Sequence, residues 1–553
     1  MPLFGALYTG RSGLQTGQEA LNVVAHNITN ADTTGYVRQQ VSQGTREYTL
    51  LSLNTTGVAK RQAGLGVYIS EVRQVRDQFL DASYRREVGR NGFYGISYSA
   101  VEEVEGIFGE LDGATFNESM NNLWKSIEEL VKDPSSEVCQ NMLVQYSQSF
   151  AESAKNVYQD LSDYQDELNS TVTSMVDRIN EIGHSIYKLN EKIRGIEVGG
   201  IENANDLKDE RNALLDELGE LCNISYTNDV FGNVLVKIEG HDFINTARVN
   251  EMAYQADEGT GFYTCFWPDI AKSWIDENGD MQYDAKTAQV FNLNSPISAV
   301  NNTDVGKLKG VLLARGDHRA NYTDLATEES YNKVSNSVMM NVMAEFDGLV
   351  HHLVTAVNKV LADNADPATN YLVDENGNPI QLFQRIGIDG EYEIDPATGD
   401  YIHSPEDPLN LSTLFSCSNL KVNEDLLQYP THLSFMKADG SVDYKTAKDL
   451  EAAFDNKEYI LNPTLTNQIS IREFYSNLMA QVANSGNVYK NLSDNQGLTV
   501  ESIEASRQGT IGVSTDEELS NMIRFQNAYN ASSRFINVID ECIEHVISQL
   551  GTG

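Results

Sequence analysis

Cysteine is scarce in this 553-residue chain, and basic residues are few relative to acidic ones. The cysteines are odd in number and far apart, and they form neither a CxxC pair nor a Cys/His cluster, which argues against a disulfide framework and against a zinc site. They are Cys139, Cys222, Cys265, Cys417 and Cys542. Forty lysines and arginines stand against eighty acids, a formal net charge of −40. Because this charge repels polyanions, we expect no nucleic-acid partner and no binding to anionic lipid.

Long apolar runs and catalytic motifs are also missing. No run of about eighteen or more apolar residues exists, so no membrane insertion is expected. The chain contains no GxxxxGKS/T phosphate loop, no GxSxG turn and no HExxH zinc helix. We therefore expect no catalytic residue, no cofactor and no metal. The first ten residues lack a basic segment followed by an apolar core, and so no cleaved secretory signal peptide is expected.

Both ends of the chain carry apolar residues at heptad spacing, which predicts amphipathic helices with coiled-coil periodicity. These residues are the candidate subunit interface. At the start of the chain they are Leu7, Leu14, Leu21 and Ile28. At the other end they fall on two rows, Met522, Tyr529, Ile536, Ile543 and Leu550, and Phe525, Ile539 and Val546.

The N-terminal helix is weakly charged and rich in glycine, and so we expect it to be marginal when it is alone in water. Between Met1 and Ala31 the only fully charged side chains are Arg11 and Glu19. We therefore expect the two terminal helices to order against each other and against other subunits of an assembly. Periodicity alone leaves an alternative, an ordinary helical hairpin that closes a bundle within one monomer.

Between the two ends the periodicity changes several times. Heptad spacing from 146 to 196 predicts one helix of about fifty residues and about 75 Å. Strand-like alternation around a Gly-Asn turn at 230–240 begins a β-rich region, and helical spacing returns at 320–363. Residues 366–444 hold six of the eleven prolines, and fourteen acids against three bases. This composition is typical of a loop-rich, mostly β insertion on the outer surface.

These patterns predict a mainly α fold with β-rich inserted domains. We expect an elongated multi-domain subunit with paired N- and C-terminal coiled-coil helices, a long helical bundle and outer β domains. Four domains are expected. They are a terminal helical assembly domain (1–45 and 515–553), a rod-like helical bundle domain (46–222, 305–365 and 445–514), a β-rich domain (223–304) and an acidic, proline-rich surface insertion (366–444).

The first predicted helix runs into the segment Asn27-Ile28-Thr29-Asn30-Ala31-Asp32-Thr33-Thr34-Gly35-Tyr36-Val37-Arg38-Gln39. Asparagine, aspartate and threonine compete for helical hydrogen bonds and glycine permits a positive φ, so we expect the helix to stop near Asn30 and the chain to turn at Gly35. The segment resembles the signature of the flagellar rod, hook and hook-associated protein family, although Thr34 stands where the family usually has proline. The matching residues are Asn27, Ile28, Asn30, Ala31, Gly35 and Tyr36.

Three further stretches resemble the hook-associated members of this family more than its hook or rod subunits. They are 66–80, 205–218 and 512–529. In all, the resemblance covers roughly 1–225, 305–365 and 465–553, whereas 366–444 resembles no part of the family.

The resemblance implies a structural subunit of the extracellular bacterial flagellum, with no enzymatic activity, that acts as an adaptor at the hook–filament junction. It implies self-association in a ring or helical layer, contacts with the hook subunit and with a second hook-associated protein, and an export chaperone bound to the C-terminal helix. It also implies export by the flagellar secretion apparatus. Two alternatives remain, a hook or distal rod subunit, and a flagellum-displayed adhesin or enzyme carried in the 366–444 insertion.

Overall fold

The fold is predominantly helical and carries small antiparallel sheets, which confirms the predicted mainly α class. The computed structural model describes residues 3–33, 35–47, 49–50, 62–109, 116–200, 202–276, 278–374, 377–386, 406–408, 410 and 413–550.

Helices lie where heptad spacing predicts them, at both ends of the chain and in the 146–196 region, and α4 of that region is the longest of the described helices. The helices of the described residues are α1 (Leu3–Thr29), α2 (Gln78–Phe108), α3 (Phe116–Lys132), α4 (Glu137–Glu197), α5 (Asn205–Leu221), α6 (Lys307–Arg315), α7 (Glu328–Val334), α8 (Val338–Asn364), α9 (Glu424–Gln428), α10 (Tyr444–Asp455), α11 (Ile471–Ile511) and α12 (Thr515–Leu550). The middle helix, α4, is thus longer than predicted and begins nine residues earlier.

The strands form separate antiparallel pairs and one three-stranded sheet. They are β1 (Gln39–Thr45), β2 (Thr49–Leu50), β3 (Gln62–Ala63), β4 (Val67–Gln74), β5 (Ile224–Asn228), β6 (Val234–Ile238), β7 (His241–Ile244), β8 (Ala253–Ala256), β9 (Tyr263–Phe266), β10 (Lys272–Ile275), β11 (Met281–Asp284), β12 (Phe383–Arg385) and β13 (Leu420–Val422). β1 pairs with β4, β2 with β3, β8 with β9, β10 with β11, and β12 with β13, whereas β5, β6 and β7 follow one another in a single sheet.

The chain divides into two compact units. The first comprises Met1–Arg90, Asp177–Met252 and Gln496–Gly553, and the second comprises Asn91–Val176 and Ala253–Asn495. The first unit therefore contains α1, α5, α12 and β1 to β7, and the second contains α3, α6 to α10 and β8 to β13. These units do not coincide with the four predicted domains, whose boundaries stay a prediction.

Two local expectations are corrected by the structure. The helix predicted at 320–363 is two helices, because Ser337 begins a new one: its hydroxyl accepts the Met340 N–H (3.3 Å) and donates to the Ala314 carbonyl (2.9 Å). The hairpin predicted at 230–240 begins earlier, with β5. Val230 lies in the turn rather than in a strand and is 92% exposed. The Asp229 carboxylate holds that turn by accepting the N–H of Asn233 (2.9 Å).

The described part of 366–444 packs against α8, and its place as an acidic surface insertion stays a prediction. Asn358 of α8 donates to the Phe383 carbonyl (2.8 Å) and accepts the Leu382 N–H (3.0 Å). Phe383 and Cys417 are fully buried. Proline and acidic residues predicted loops correctly here, but the apolar residues between them form a core with α8. Residues 387–405, which carry many of the acids, lie outside the described residues.

Candidate functional site

The two terminal helices pair in the first unit, which confirms the predicted pairing of the N- and C-terminal helices. The pairing is antiparallel, because Gly10 lies against Ile536 and Gly17 against Tyr529. A β-carbon placed on Gly10 would lie 2.6 Å from the Ile536 Cγ1 atom, and one on Gly17 would lie 3.4 Å from the Tyr529 Cα atom. Between them, Gly13 would place a β-carbon against the Ser532 hydroxyl. A β-carbon at Gly10 or Gly13 would thus require the facing side chain to move, whereas one at Gly17 would be in tight contact with Tyr529.

The glycine face is a feature that the sequence analysis did not assign to the interface. The predicted α1 residues Leu7, Leu14, Leu21 and Ile28 are only half-buried. Gly10, Gly13 and Gly17 face α12 at close range, and the role of the four apolar residues between subunits stays a prediction. The spacing of these glycines, three and then four residues apart, is a one-face helical pattern that could have revealed the contact.

On α12 the predicted row is half-buried over most of its length. The half-buried members are Met522, Phe525, Tyr529, Ile536, Ile539 and Ile543. Val546 is 41% exposed, and the side chain of Leu550 lies outside the described residues. The role of these residues between subunits stays a prediction.

Further large apolar side chains on the terminal helices remain exposed in the single chain. They are Tyr8 on α1, and Leu519, Ile523, Phe535, Val538 and Ile547 on α12. Scattered exposed apolar residues are common on any protein, but five others on one helix besides Val546 give α12 an apolar surface outside its contact with α1.

Asn27 joins the end of α1 to β1 and to the first turn of α12. Its side chain is 1% exposed. Its amide donates to the Gln39 carbonyl (2.9 Å) and to the Glu518 carboxylate (3.1 Å). Its amide oxygen accepts the Tyr36 hydroxyl (2.7 Å) and the Gln39 N–H (3.0 Å). The hydrogen bonds of this one side chain thus hold the end of α1, β1 and the first turn of α12 together.

The remaining motif residues shape the turn after α1. The helix ends at Thr29, as predicted, and Gly35 has a φ of 81°, the left-handed region that favours glycine. The Tyr36 ring meets the His26 ring edge-on, with centroids 5.5 Å apart. Asn30 differs from Asn27, because its amide donates back to the His26 carbonyl of its own helix (3.0 Å). Ile28 and Ala31 are half-buried.

The turn is also tied to α5 through Asp209. Its carboxylate accepts the Val37 N–H (3.2 Å) and the Gln74 amide (2.7 Å). Burial raises the pKa of Asp209 to about 7, although these hydrogen bonds and the nearby Arg76 act in the opposite direction. Burial also raises the pKa of Tyr36 above its usual range, and Asp206 and Asp209 add to the shift.

A buried ion network fixes the end of α11, from which α12 follows. The Arg507 guanidinium contacts the carboxylates of Asp81 (2.9 Å) and Asp216 (2.5 Å). Asp216 also pairs with Arg85 (2.6 Å). The Arg507 guanidinium lies 4.6 Å from the centre of the Tyr84 ring. Because breaking a buried pair leaves an uncompensated charge, this network holds α2, α5 and α11 in one arrangement.

In the part of the chain that the structure describes, no group of three or more His, Cys, Asp or Glu residues is placed to hold a metal ion. No described helix combines the length and the apolar character needed to cross a bilayer.

The sequence matches three family models, two of which fall on the terminal helices. Residues 7–36 match the flagella basal body rod protein family, and residues 502–550 match the C-terminal region of the flagellar basal body rod FlgEFG proteins. Residues 101–371 match the helical domain of flagellar hook-associated protein FlgK. The first match ends at Tyr36, the last residue of the motif around Asn27.

Relatives that align with nearly the whole chain share the name flagellar hook-associated protein 1. The chain is 26% identical to flagellar hook-associated protein 1 of Bacillus subtilis, over 100% of this chain and 99% of that protein. It is 22% identical to flagellar hook-associated protein 1 of Escherichia coli, over 97% of this chain and 98% of that protein. A solved structure, the flagellar hook junction protein FlgK from Burkholderia pseudomallei, shares the fold with a TM-score of 0.53 at 12% identity, covering 78% of this chain and 100% of that chain.

Proposed function

Since the chain belongs to the family of flagellar hook-associated protein 1, we propose that its paired terminal helices, α1 and α12, build the subunit contacts of a structural layer. The chain is a structural subunit of the bacterial flagellum at the hook–filament junction and not an enzyme. The alternative of a hook or distal rod subunit is not favoured, because the full-length similarity is to hook-associated protein 1.

The observation that carries the proposal is the division of surfaces on α12. One face is occupied by the glycine face of α1, whereas side chains such as Ile523 (60% exposed) and Val538 (54% exposed) remain uncovered. A fully buried leucine-sized side chain contributes about 1.5–3 kcal/mol, so covering the exposed part of each contributes about 1 kcal/mol. Several such side chains, repeated around a layer of subunits, are sufficient to hold it together.

The proposed partners follow from the family, and the apolar surface of α12 is suited to contacts of this kind. Copies of the chain associate in a ring or helical layer through the terminal helices, the hook subunit lies on one side, and a second hook-associated protein lies on the other. Before assembly an export chaperone covers the apolar surface of α12. The chain leaves the cell through the flagellar secretion apparatus.

A test uses charged substitutions on the uncovered face of α12. Ile523→Glu and Val538→Glu place carboxylates where neighbouring subunits would pack, and both positions are exposed in the single chain. The matched controls are Gln526→Glu and Asn537→Glu, which add the same charges at polar, exposed positions of the same helix. We expect all four proteins to fold with unchanged far-ultraviolet circular dichroism, while only the first pair fails to restore swimming in a deletion strain.

Electron microscopy of the same strains tests the site of action. We expect hooks without filaments in the deletion strain and in cells carrying the apolar-face variants. Absent hooks would indicate the hook or distal rod alternative. Normal filaments with Ile523→Glu and Val538→Glu together would contradict the proposed role of α12.

A further inference from the structure

A cavity of about 430 Å³ in the first unit is lined by an excess of basic residues. It lies between the end of β4, the start of α2, α5 and the β5–β6 hairpin. The basic residues are Arg73, Arg76, Arg85, Lys208 and Arg211, and the acidic ones are Glu71 and Asp81. In a chain with a formal charge of −40, such a grouping of cations is unusual and requires a physical reason.

Three of the cations are neutralised by carboxylates. Arg76 pairs with Asp81 at 2.5 Å, Arg85 with Asp216 at 2.6 Å, and Lys208 with Glu197 at 2.6 Å. These pairs account for the structural role of the three side chains, because a buried cation next to a carboxylate has its charge compensated.

Two of the five cations, Arg73 and Arg211, have no carboxylate of the described residues within ion-pair distance. Arg73 is exposed and donates to the Gln40 side chain (3.2 Å), whereas Arg211 is only 5% exposed. One terminal nitrogen of Arg211 donates to the Asn190 amide oxygen (2.8 Å) and to the Gly232 carbonyl (3.0 Å), and its Nε, which has no hydrogen-bond partner among the described residues, is closed to solvent. Burial lowers the pKa of Arg211 to about 10, although the nearby Glu197 acts in the opposite direction. A buried cation without a paired carboxylate at the wall of a cavity is stabilised when an anion enters.

We propose that this cavity binds a single oxyanion, a phosphate or carboxylate group, with the Arg211 guanidinium as its principal partner. The volume is within the range of small-ligand sites, about 300–1,000 Å³. The guanidinium of Arg211 presents its donors in a fixed fork, which favours a group with two or more acceptor oxygens over the single atom of chloride. Binding does not require the proposed assembly, since every lining residue belongs to one chain and none of them lies on α1 or α12.

Hydrogen exchange measured by mass spectrometry on the full-length protein tests the site. The exchange rates of peptides covering 203–234 are compared in inorganic phosphate, in acetate and in chloride. The ionic strength is kept equal, so that general electrostatic screening is the same in all three salts. We expect at least one of the two oxyanions to slow exchange in these peptides. In Arg211→Met that protection should require an oxyanion concentration at least about tenfold higher, because a charge-assisted hydrogen bond is lost. The control is Arg178→Met, which removes an exposed arginine of the same unit.

The outcomes separate the possible ligands. Protection by phosphate and not by acetate indicates a phosphate site, and the reverse indicates a carboxylate site. Absence of protection by both in the wild-type protein overturns the proposal, as does equal protection in Arg211→Met. If Arg211→Met does not fold, Arg211→Lys keeps the charge and loses the fork of donors, and unchanged phosphate and acetate titrations in that variant would also count against the site.

Discussion

The two asparagines of the family motif, Asn27 and Asn30, should differ sharply in their effect on stability. They are three residues apart and both belong to the family motif, but their surroundings differ. Asn27 is buried and bonds to Tyr36, Gln39 and Glu518, whereas Asn30 is half-buried and its amide bonds within its own helix. Substituting each by alanine therefore tests whether the contacts of a motif residue, rather than its presence in the motif, determine its effect on stability.

The magnitude follows from the groups left behind. Asn27→Ala removes four hydrogen bonds and leaves the Gln39 N–H and carbonyl, the Tyr36 hydroxyl and the Glu518 carboxylate without that partner. At about 1 kcal/mol for each bond, the free energy of unfolding of the first unit should fall by about 3–5 kcal/mol. Asn30→Ala removes solvent-accessible bonds and should cost about 1 kcal/mol or less.

The assay exploits the placement of the tryptophans. Trp124, Trp267 and Trp274 all lie in the second unit, so tryptophan fluorescence follows that unit alone, whereas circular dichroism at 222 nm follows both. In urea, Asn27→Ala should shift the circular dichroism transition and leave the fluorescence transition unchanged. Hydrogen exchange should increase in peptides from α1 and α12. Equal effects of the two alanine variants, or a loss below about 1 kcal/mol in Asn27→Ala, would refute the reasoning.

Two other expected results concern packing and pH. Gly17→Val should separate α1 from α12, because the methyl groups of valine meet the Tyr529 backbone, and the free energy of unfolding of the first unit should fall by about 2 kcal/mol or more. The control Gly509→Val lies at an open position of α11 and should change this free energy by no more than about 0.5 kcal/mol. Burial raises the pKa of Glu345 to about 7, so its contribution to stability is complete below its ordinary value of 4.5 and is lost as the pH rises through 7. The free energy of unfolding of Glu345→Gln, measured by tryptophan fluorescence in urea, should therefore rise relative to that of the wild type by up to about 3 kcal/mol from acidic to alkaline pH. The exposed control Glu191→Gln should show no such trend. A variant that is more stable than the wild type already at acidic pH would contradict the assignment.

The sequence was most informative where local backbone chemistry decides the structure. The end of α1 at Thr29 and the positive φ of Gly35 were predictable, because asparagine, threonine and glycine each have defined local preferences. The pairing of the terminal helices was predictable from their matching periodicity. The packed state of the described part of 366–444 was not, because loop composition does not show which of the interspersed apolar residues meet a distant helix.

Long-range contacts between charges were also hidden from the sequence. Arg507 meets Asp81 and Asp216, which are hundreds of residues away along the chain, and no spacing or local pattern connects them. The same holds for the cavity around Arg211, since a cation without a carboxylate is recognisable only once the surrounding elements are placed. In a chain with eighty acids, a buried arginine without a paired carboxylate among the described residues is informative.

The placement of glycine on α1 links fold stability to assembly. Each glycine lowers helix stability by about 1 kcal/mol relative to alanine, so Gly10, Gly13 and Gly17 together lower it by about 3 kcal/mol. Their close contact with α12 compensates for this loss only while the two helices remain paired, and the heptad leucines of α1 are only half-buried in the single chain. Neighbouring subunits that cover these leucines would therefore stabilise α1 and its contact with α12 at the same time. Hydrogen exchange in α1 should accordingly be faster in the monomer than in the assembled layer, and by more than in α5, which has its own buried contacts in the same unit.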